Sequence, residues 1–233
     1  MIGILSDAHG NVSAFREAIH HLRDLGVDSF YFLGDAVGYV PSLDVVDELQ
    51  SMGAAVKCVL GNHEQMLLQK STATGRELIY QHQPLRERLS NHQIDFLKSW
   101  PTHRRETIDG TQVLFVHGSW SDYTNGYVYP DTDLDQFHPS EAFVFMGHSH
   151  YPFIRSANGT VFVNVGSCGL PRDDGRYGAF ATFDATTKQV RLFRYAIDKS
   201  VAELSASNAL SVHPTVIQLF QRRSDFVSDD FLN

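Results

Sequence analysis

The N-terminal part of the chain alternates between short apolar runs and amphipathic segments, and this alternation constrains the fold more than any other feature. The first amphipathic segment has apolar residues at near-helical spacing between Asn11, an N-cap residue, and Gly26, a stop signal. The second, PSLDVVDELQSMG, predicts a helix with Pro41 at its start and Gly53 just past its end. The short apolar runs that flank these two segments are IGIL, SFYFLGD and AAVKCVLGNHE.

Two successive strand–helix–strand units with nearly continuous apolar strands favour parallel pairing, with helices packed on the sheet. Further along, residues 71–100 have a polar helical pattern that ends at Pro101. The rest is mostly β: hairpins are predicted across Asp109-Gly110 and Asn158-Gly159, with a buried strand in AFVFMGHSH and a last strand pair in GAFATFD and QVRLFRY. This mixture predicts an α/β fold of two sheets packed face to face, with helices outside.

We predict a single domain that spans residues 1–233, since the sequence has no internal repeat or low-complexity linker. A chain of this length buries roughly 70–75 % of its unfolded surface, which is enough for one substantial core. From about Asp198 onward we expect a C-terminal helix and a tail that is docked on the domain or partly disordered.

Charge and composition exclude several classes of protein. Acidic residues number 27 against 19 basic ones, without a run of Lys or Arg, so strong binding to nucleic acid or anionic lipid is not expected. No segment has the ~18 continuous apolar residues of a membrane span, and no basic leader precedes the first strand. The two cysteines, Cys58 and Cys168, are far apart and suggest neither a disulfide framework nor a thiolate zinc site, so a reducing cytoplasm is expected.

Polar residues follow five predicted strands, next to glycine or another small residue. Because ligands bind beyond the carboxyl ends of the strands in α/β sheets, these groups are expected to converge. Within SDAHG and GHSH the metal-capable residues are two positions apart, so in extended backbone each pair would project to one side. The set contains three oxygen donors and four imidazoles, namely Asp7, Asp35, Asn62, His9, His117, His148 and His150.

Mixed nitrogen and oxygen donors without thiolate suit divalent Mn, Fe, Ni, Co or Zn. Seven side chains are too many for one such ion, whereas two ions that share a carboxylate would use them all. A histidine taken alone is more often a structural or surface residue than a ligand. We interpret seven histidines in that way; His63 and the four in the ligand set are not among them. The seven are His20, His21, His82, His92, His103, His138 and His213.

The ordered series SDAHGN, LGDAVGY, LGNHE, VHGS and GHSH closely resembles the calcineurin-like metallophosphoesterase superfamily, over residues 2 to about 195. The resemblance implies a four-layer α/β/β/α sandwich of two mixed sheets with a binuclear metal centre. It implies that Asp35 bridges the two ions and that His63 is the catalytic histidine, not a ligand. One ion would be held by Asp7, His9, Asp35 and His150, and the other by Asp35, Asn62, His117 and His148.

One departure from the family pattern bears on the substrate. The serine/threonine protein phosphatases of the superfamily carry Asp-Arg-Gly after the bridging aspartate, whereas this chain has Gly38-Tyr39-Val40. The difference argues against protein phosphatase activity and leaves His63 in need of another orienting partner. Glu64 either orients His63 or simply begins the next helix. The stretch GDAVGYVPSLDVVDEL resembles the compact bacterial and archaeal phosphodiesterase-like branch.

We therefore predict a binuclear metal-dependent phosphoesterase that hydrolyses phosphodiester or phosphomonoester bonds of small, nucleotide-like substrates. Two cations about 3.5–4 Å apart would lower the pKa of a bridging water and supply hydroxide for in-line attack, with His63 donating a proton to the leaving oxygen. Arg172 or Arg176 either contacts the substrate's phosphate or pairs with Asp173, Asp174 or solvent, and Tyr39 is a candidate for stacking on a base.

The sequence leaves other functions open. A dinucleoside polyphosphate hydrolase or a protein phosphatase would use the same metal centre, and a non-catalytic interaction module can be built on the same fold. The presence of every predicted ligand together with His63 favours catalysis. The oligomeric state and the native metal are not predicted by the sequence.

Overall fold

The structure is a computed structural model, and it describes residues 1–69, 75–206 and 212–224 together with the backbone of residues 231–232. Its strands form two mixed sheets. The strands are β1 (Ile2–Leu5), β2 (Ser29–Phe32), β3 (Val56–Cys58), β4 (His103–Ile108), β5 (Thr111–Val116), β6 (Phe143–Met146), β7 (Phe153–Ala157), β8 (Thr160–Asn164), β9 (Tyr177–Asp184), β10 (Gln189–Ala196) and β11 (Phe231–Leu232).

The first sheet has the order β11-β10-β9-β1-β2-β3, and β1, β2 and β3 pair in parallel as predicted. β9 is antiparallel to β1 and to β10, so the last strand pair completes the sheet that the N-terminus begins. β11 pairs in parallel with β10, and no strand was predicted there.

The second sheet has the order β4-β5-β6-β8-β7. Both predicted hairpins are present, because β4 pairs antiparallel with β5 and β7 with β8. At their turns Asp109 and Asn158 have positive φ and each is followed by a glycine with positive φ, which is the geometry of two-residue hairpin turns. β5, β6 and β8 pair in parallel, so the ends of β5 and β6 lie at the same edge.

The helices are short apart from the first. They are α1 (Val12–Asp24), α2 (Asp44–Ser51), α3 (Asn62–Gln69), α4 (Glu77–Tyr80), α5 (His82–Arg88), α6 (Asn91–Lys98), α7 (Asp198–Ala206) and α8 (Pro214–Leu219). The side chain of Asn11 caps α1 by accepting a hydrogen bond from the amide of Ala14, as the sequence predicts for an N-cap. Among the described residues, no helix combines the length and apolar character needed to cross a membrane.

Two features of the helices differ from the sequence-based expectation. α2 begins at Asp44, not at Pro41, and its N-cap residue Leu43 makes no side-chain capping hydrogen bond. Pro41 lies instead in a turn, in which the Ser42 amide donates to the Val40 carbonyl and the Ser42 hydroxyl accepts from the Asp44 amide. The stretch 71–100 contains three helices with a left-handed residue, Gln81, between the first two; residues 70–74 lie outside the described residues.

The cores explain how the layers are held together. One apolar cluster lies between the sheets and takes side chains from both, including Tyr31, Phe115 and Phe145. A second joins the outer face of the first sheet to the helices, with Phe15 and Phe32 at its centre. This arrangement confirms the predicted α/β fold of two mixed sheets packed face to face.

The outer face of the second sheet is covered by the irregular segment 120–137, whose apolar side chains pack on the strands. Val128 and Leu134 are buried there against the sheet, and Trp120 contacts Phe162 with ring centroids 5.0 Å apart. The segment is thereby held next to the strand ends that carry the polar residues.

Candidate metal centre

The topology brings all seven predicted ligands to one place. β1, β2 and β3 are parallel and so are β5 and β6, so the loops that follow them meet at one edge of the paired sheets. Three groups of buried side chains could each hold a metal ion, since the potential ligand atoms within each group lie within 4.8 Å of one another. The groups are Asp7 with His9 and His150, His9 with Asp35 and His63, and Asp35 with His117 and His148.

The first half of the cluster is centred on Asp7. Its carboxylate oxygen Oδ1 lies 3.0 Å from Nε2 of His150 and 3.5 Å from Nε2 of His9. The two imidazole Nε2 atoms are 3.1 Å apart. The other carboxylate oxygen accepts a hydrogen bond from the amide of His148, so Asp7 also ties β1 to the loop after β6.

The second half is centred on His117, whose Nε2 atom lies 3.1 Å from the amide oxygen of Asn62 and 3.0 Å from Nδ1 of His148. Oδ2 of Asp35 is 3.3 Å from the same His117 nitrogen and 3.8 Å from Nε2 of His9. Asp35 therefore lies between the two halves and reaches both.

Backbone carbonyls orient three of the four imidazoles. Each of the three directs Nδ1 at a carbonyl oxygen, which accepts but cannot donate, so Nδ1 carries the proton and Nε2 faces the carboxylates. The pairs are His9 with Val37, His117 with Leu33, and His150 with Leu170. Metal-ligating histidines are commonly held in this way.

The lone pairs of several predicted ligands lack hydrogen-bond donors within the protein, and a cation would satisfy them. Burial lowers the pKa of His150 to about 4, so its imidazole is neutral near pH 7 and its Nε2 lone pair faces the Asp7 carboxylate. Acceptor then faces acceptor, and Oδ1 of Asp7 accordingly has no hydrogen-bond donor. Nε2 of His148 is likewise buried without a partner. A divalent cation would satisfy these lone pairs.

The charges at the cluster favour ionised carboxylates. Burial raises the pKa of Asp7 and of Asp35, but the neighbouring histidines outweigh it and hold both pKa values below their usual range. For His117, burial lowers the pKa while the charges of Asp35 and Asp7 raise it, and the net result is about 9. The two carboxylates thus attract positive charge to this position.

The backbone at the ligands is not extended, which corrects the sequence-based picture. Left-handed φ values occur at five of the seven predicted ligands: Asp7, His9, Asp35, His148 and His150. Amide hydrogen bonds between the loops hold this conformation, such as those from Asp7 to the Gly34 carbonyl and from His9 to the Asp35 carbonyl. The alternation of an extended strand therefore does not explain why these side chains converge.

His63 lies beside the cluster, at the start of α3, and is buried. Its amide donates to Oδ1 of Asp35, and its Nδ1 is 3.0 Å from Nε2 of His82. Gly38, at φ +91°, makes room for the ring, since a Cβ there would lie 2.1 Å from Nδ1 of His63. Burial lowers the pKa of His63 well below its usual value.

His82 was interpreted from sequence as a structural or surface residue, and this interpretation was incomplete. It is fully buried on α5 against the His63 ring, and burial lowers its pKa to about 4. The sequence offers no local signal for the contact, because His82 follows a stretch of irregular helices. The only available clue was that His63 required an orienting partner.

Glu64 neither orients His63 nor merely begins a helix. Its carboxylate accepts hydrogen bonds from the amides of Asp35, Val37 and Gly61, at 2.8, 3.2 and 3.0 Å. Glu64 thus ties the loop after β2 to the loop after β3. Burial, with the nearby Asp35 charge, raises the pKa of Glu64 to about 7.

The three candidate substrate contacts have different surroundings. Tyr39 lies at the site, with its ring centroid 4.8 Å from that of His9 and 4.9 Å from that of His63. Arg172 is half-buried and donates to the Tyr39 hydroxyl at 2.8 Å. Arg176 instead forms a two-point ion pair with Asp174, which is the ion-pairing alternative stated for it above.

The family follows from a sequence comparison. Residues 1–188 match the model of the calcineurin-like phosphoesterase superfamily domain. The chain belongs to this superfamily and is accordingly a metal-dependent phosphoester hydrolase.

Individual proteins resemble this chain in sequence or in fold. The uncharacterized protein MJ0912 of Methanocaldococcus jannaschii is 27 % identical over 241 residues, covering 90 % of this chain and 93 % of its own. The hypothetical protein PH1004 of Pyrococcus horikoshii OT3 superposes with a TM-score of 0.78 at 19 % identity, covering 94 % of this chain and 98 % of its own. A metallophosphoesterase of Sphaerobacter thermophilus superposes with a TM-score of 0.72 at 23 % identity and the same coverage.

Proposed function

We propose that this chain hydrolyses phosphodiester or phosphomonoester bonds of small, nucleotide-like substrates with a binuclear metal centre. The observation that carries the proposal is the pair of buried acceptor clusters that share Asp35. One ion would be held by Asp7, His9, Asp35 and His150, and the other by Asp35, Asn62, His117 and His148. Mn, Fe, Ni, Co and Zn all suit these donors.

When bound there, two divalent cations would activate a water molecule for attack and neutralise charge on the phosphoryl oxygens. The protein's own contribution is to hold the ligands in one tautomer through the carbonyls of Val37, Leu33 and Leu170. Glu64 keeps two of the ligand-bearing loops at a fixed distance.

His63 is proposed as the proton donor to the leaving oxygen. A donor role requires the imidazolium form of His63, which the negative charge of a bound phosphate favours. Because the pKa of His82 is lowered to about 4, His82 is neutral, and its Nε2 can accept Nδ1–H of this imidazolium across their 3.0 Å contact, which leaves Nε2–H of His63 for the leaving oxygen. His82 is therefore a positioning residue that acts through His63. The edge-to-face contact with Tyr80, at 4.7 Å between ring centroids, limits rotation of the His63 ring.

Arg172 is proposed to bind a phosphate oxygen of the substrate. Its guanidinium lies near the Tyr39 ring, 5.9 Å from the centroid, and its charge contributes to the lowered pKa of His150, so the two groups are close. Arg176 is not included in the proposal, because Asp174 already occupies its guanidinium. We also retain the predictions of a small phosphate-ester substrate and a cytoplasmic location.

The experiment combines elemental analysis with a metal-reconstituted screen of cyclic nucleotides, dinucleotides, phosphodiesters and phosphomonoesters. The parent chain is expected to bind two ions and to hydrolyse at least one class. Asp35→Asn should lose metal and activity together, because this carboxylate reaches both halves of the cluster. His63→Ala should keep both ions while kcat falls roughly 10² to 10⁴-fold.

Two results would contradict the proposal. Loss of metal in step with activity in His63→Ala would show that His63 is a ligand and not a proton donor. Absence of turnover in the fully loaded parent chain, across the whole screen, would favour the non-catalytic interaction module. A third result, preferential cleavage of dinucleoside polyphosphates when they are added to the screen, would contradict only the substrate and replace the simple ester with that alternative.

A further inference from the structure

An aromatic surface lies next to the metal centre and has no role in the function proposed so far. It is formed by two tyrosines of the segment that covers the second sheet, Tyr127 and Tyr129, which are 50 % and 39 % exposed. Val128 between them is 3 % exposed and belongs to the apolar cluster on the sheet. The alternation places both tyrosines on the outer side of the segment.

This pair, which we call the tyrosine ledge, is held in place by its surroundings. Arg155 on β7 donates to the carbonyls of Pro130 and Thr132, at 2.9 and 2.6 Å. The Tyr129 amide donates to the Thr132 hydroxyl at 2.8 Å. Because these bonds and the buried Val128 anchor the backbone, little ordering is required when a ligand binds.

The ledge starts at a predicted metal ligand and runs outward from it. The Tyr127 ring lies 4.0 Å from the His148 ring between centroids, tilted by 35°. The Tyr129 ring is nearly parallel to that of Tyr127, with 5.7 Å between centroids and an interplanar angle of 5°. The ring of Tyr151, the residue after His150, lies 5.8 Å from the Tyr129 ring between centroids.

Arg172 joins the ledge to the phosphate-binding side of the site. Its guanidinium donates to the hydroxyl of Tyr39 and lies close enough to Tyr127 for its charge to act on the pKa of that phenol. The site thus offers three neighbouring features: a place for a phosphate at the ligand cluster, the cation of Arg172 and the exposed aromatic rings. A nucleotide presents its phosphate, sugar and base in the same order.

We propose that the tyrosine ledge is a nucleobase-binding subsite and that the substrates of this chain are esters of nucleoside phosphates. The proposal rests on the function proposed above and names its substrate class. Aromatic side chains bind bases of any identity by stacking, since every base has a π-face. The ledge therefore selects for the presence of a base and does not discriminate strongly between bases.

The position of Tyr129 favours a nucleobase over a simple aryl group. A phenyl ester would place its ring directly beside the phosphate, at the level of His148 and Tyr127. The Tyr129 ring lies one ring further out. An aromatic group held there is separated from the phosphate by a spacer, and ribose is such a spacer.

The test measures binding, so that it does not depend on turnover. The Mn²⁺-loaded full chain would be titrated by calorimetry with the carbon-linked phosphonate analogues of adenosine 5′-phosphate and of ribose 5-phosphate, whose P–C bond is not hydrolysed. The adenosine analogue is expected to bind roughly 10- to 100-fold more tightly, as for a base stacked on aromatic side chains. In the double variant Tyr127→Leu, Tyr129→Leu this ratio should fall to about 1, with the ribose analogue bound as before.

Tyr123→Leu is the matched control, because Tyr123 belongs to the same covering segment but its ring contacts His103, 4.2 Å away between centroids. Its backbone carbonyl accepts from the amide of His117, and leucine keeps that carbonyl. It should keep the parent ratio. An unchanged ratio in the double variant, or a phenyl phosphonate bound as tightly as the adenosine analogue, would overturn the nucleobase subsite. Failure of the hydrolysis screen alone would contradict the proposed function and would leave this binding ratio measurable.

Discussion

Apart from Gln81 between α4 and α5, the left-handed non-glycine residues of the described chain lie in two regions, and the two regions differ in what the conformation achieves. At the hairpin turns the left-handed residues Asp109, Asn158 and Lys188 are exposed, and the turn geometry that joins two antiparallel strands requires them. At the metal centre the left-handed residues are buried, and no hairpin requires them there. They are Asp7, His9, Asp35, Tyr39, His148 and His150.

A non-glycine residue in this conformation costs roughly 1–3 kcal/mol and persists only where its surroundings determine it. The hairpins offset the cost locally, since the turn matches the twist of its strands. At the centre, hydrogen bonds between loops and the buried Glu64 carboxylate hold the backbone instead. The comparison teaches that left-handed residues at the candidate metal centre bring the predicted ligands together, whereas those at the turns serve chain reversal.

The largest effect is expected for Gly38→Ala, because the new methyl group would displace the His63 ring. A misplacement of about 1 Å lowers turnover by roughly 10²-fold, so kcat should fall by this order while the metal content stays the same. Steady-state kinetics with elemental analysis of the same preparation would measure both.

Gly26→Ala is the matched control. Gly26 also has a positive φ, +79°, but a Cβ there meets nothing within 4 Å. The control should lose about 1 kcal/mol of stability in thermal or denaturant unfolding, with kcat unchanged. Equal losses of activity in both variants would mean that Gly38 acts through general stability and not through His63.

A smaller effect is expected for His82→Ala, since His82 acts only through His63. Loss of a side chain that orients a functional histidine costs roughly 10-fold, at the low end of the range for such partners. The loss should appear in kcat with KM and metal content unchanged, and His82→Gln should restore part of it because its amide oxygen can accept a hydrogen bond from Nδ1–H of His63. If His82→Gln behaves like His82→Ala, the hydrogen bond is not what positions His63.

The smallest effect is expected at the turns. Lys188→Gly replaces an exposed left-handed residue by the residue that adopts this conformation most easily. Its unfolding free energy should stay within about 0.5 kcal/mol of the parent, and kcat should not change. A marked loss of activity would show that turn geometry also affects the centre, contrary to the comparison.

Much of the fold was predictable because its signals are local. Apolar runs, the N-cap at Asn11 and the pairs Asp109-Gly110 and Asn158-Gly159 each act over a few residues, and the structure has the strands, helix and hairpins that they predict. The start of α2 was wrong by three residues, since Pro41 lies in the turn that precedes the helix.

The candidate site was predictable in its residues but not in its geometry. The seven donors lie together as the order of strand ends implied, whereas the extended backbone expected at them was wrong. The contact of His82 with His63, the contacts of Glu64 with two loops and the tyrosine ledge were not predicted. Each depends on contacts between segments far apart in the chain, which a local pattern does not encode.

By itself, the sequence determined which chemical groups stand at the ends of the strands, because strand burial and turn chemistry act on neighbouring residues. Only the tertiary structure decided which way those groups face and what orients them. His63 meets His82 across 19 positions and Asp7 binds the amide of His148 across 141. Such contacts depend on how the elements pack, since packing closes the distance that the chain alone leaves open.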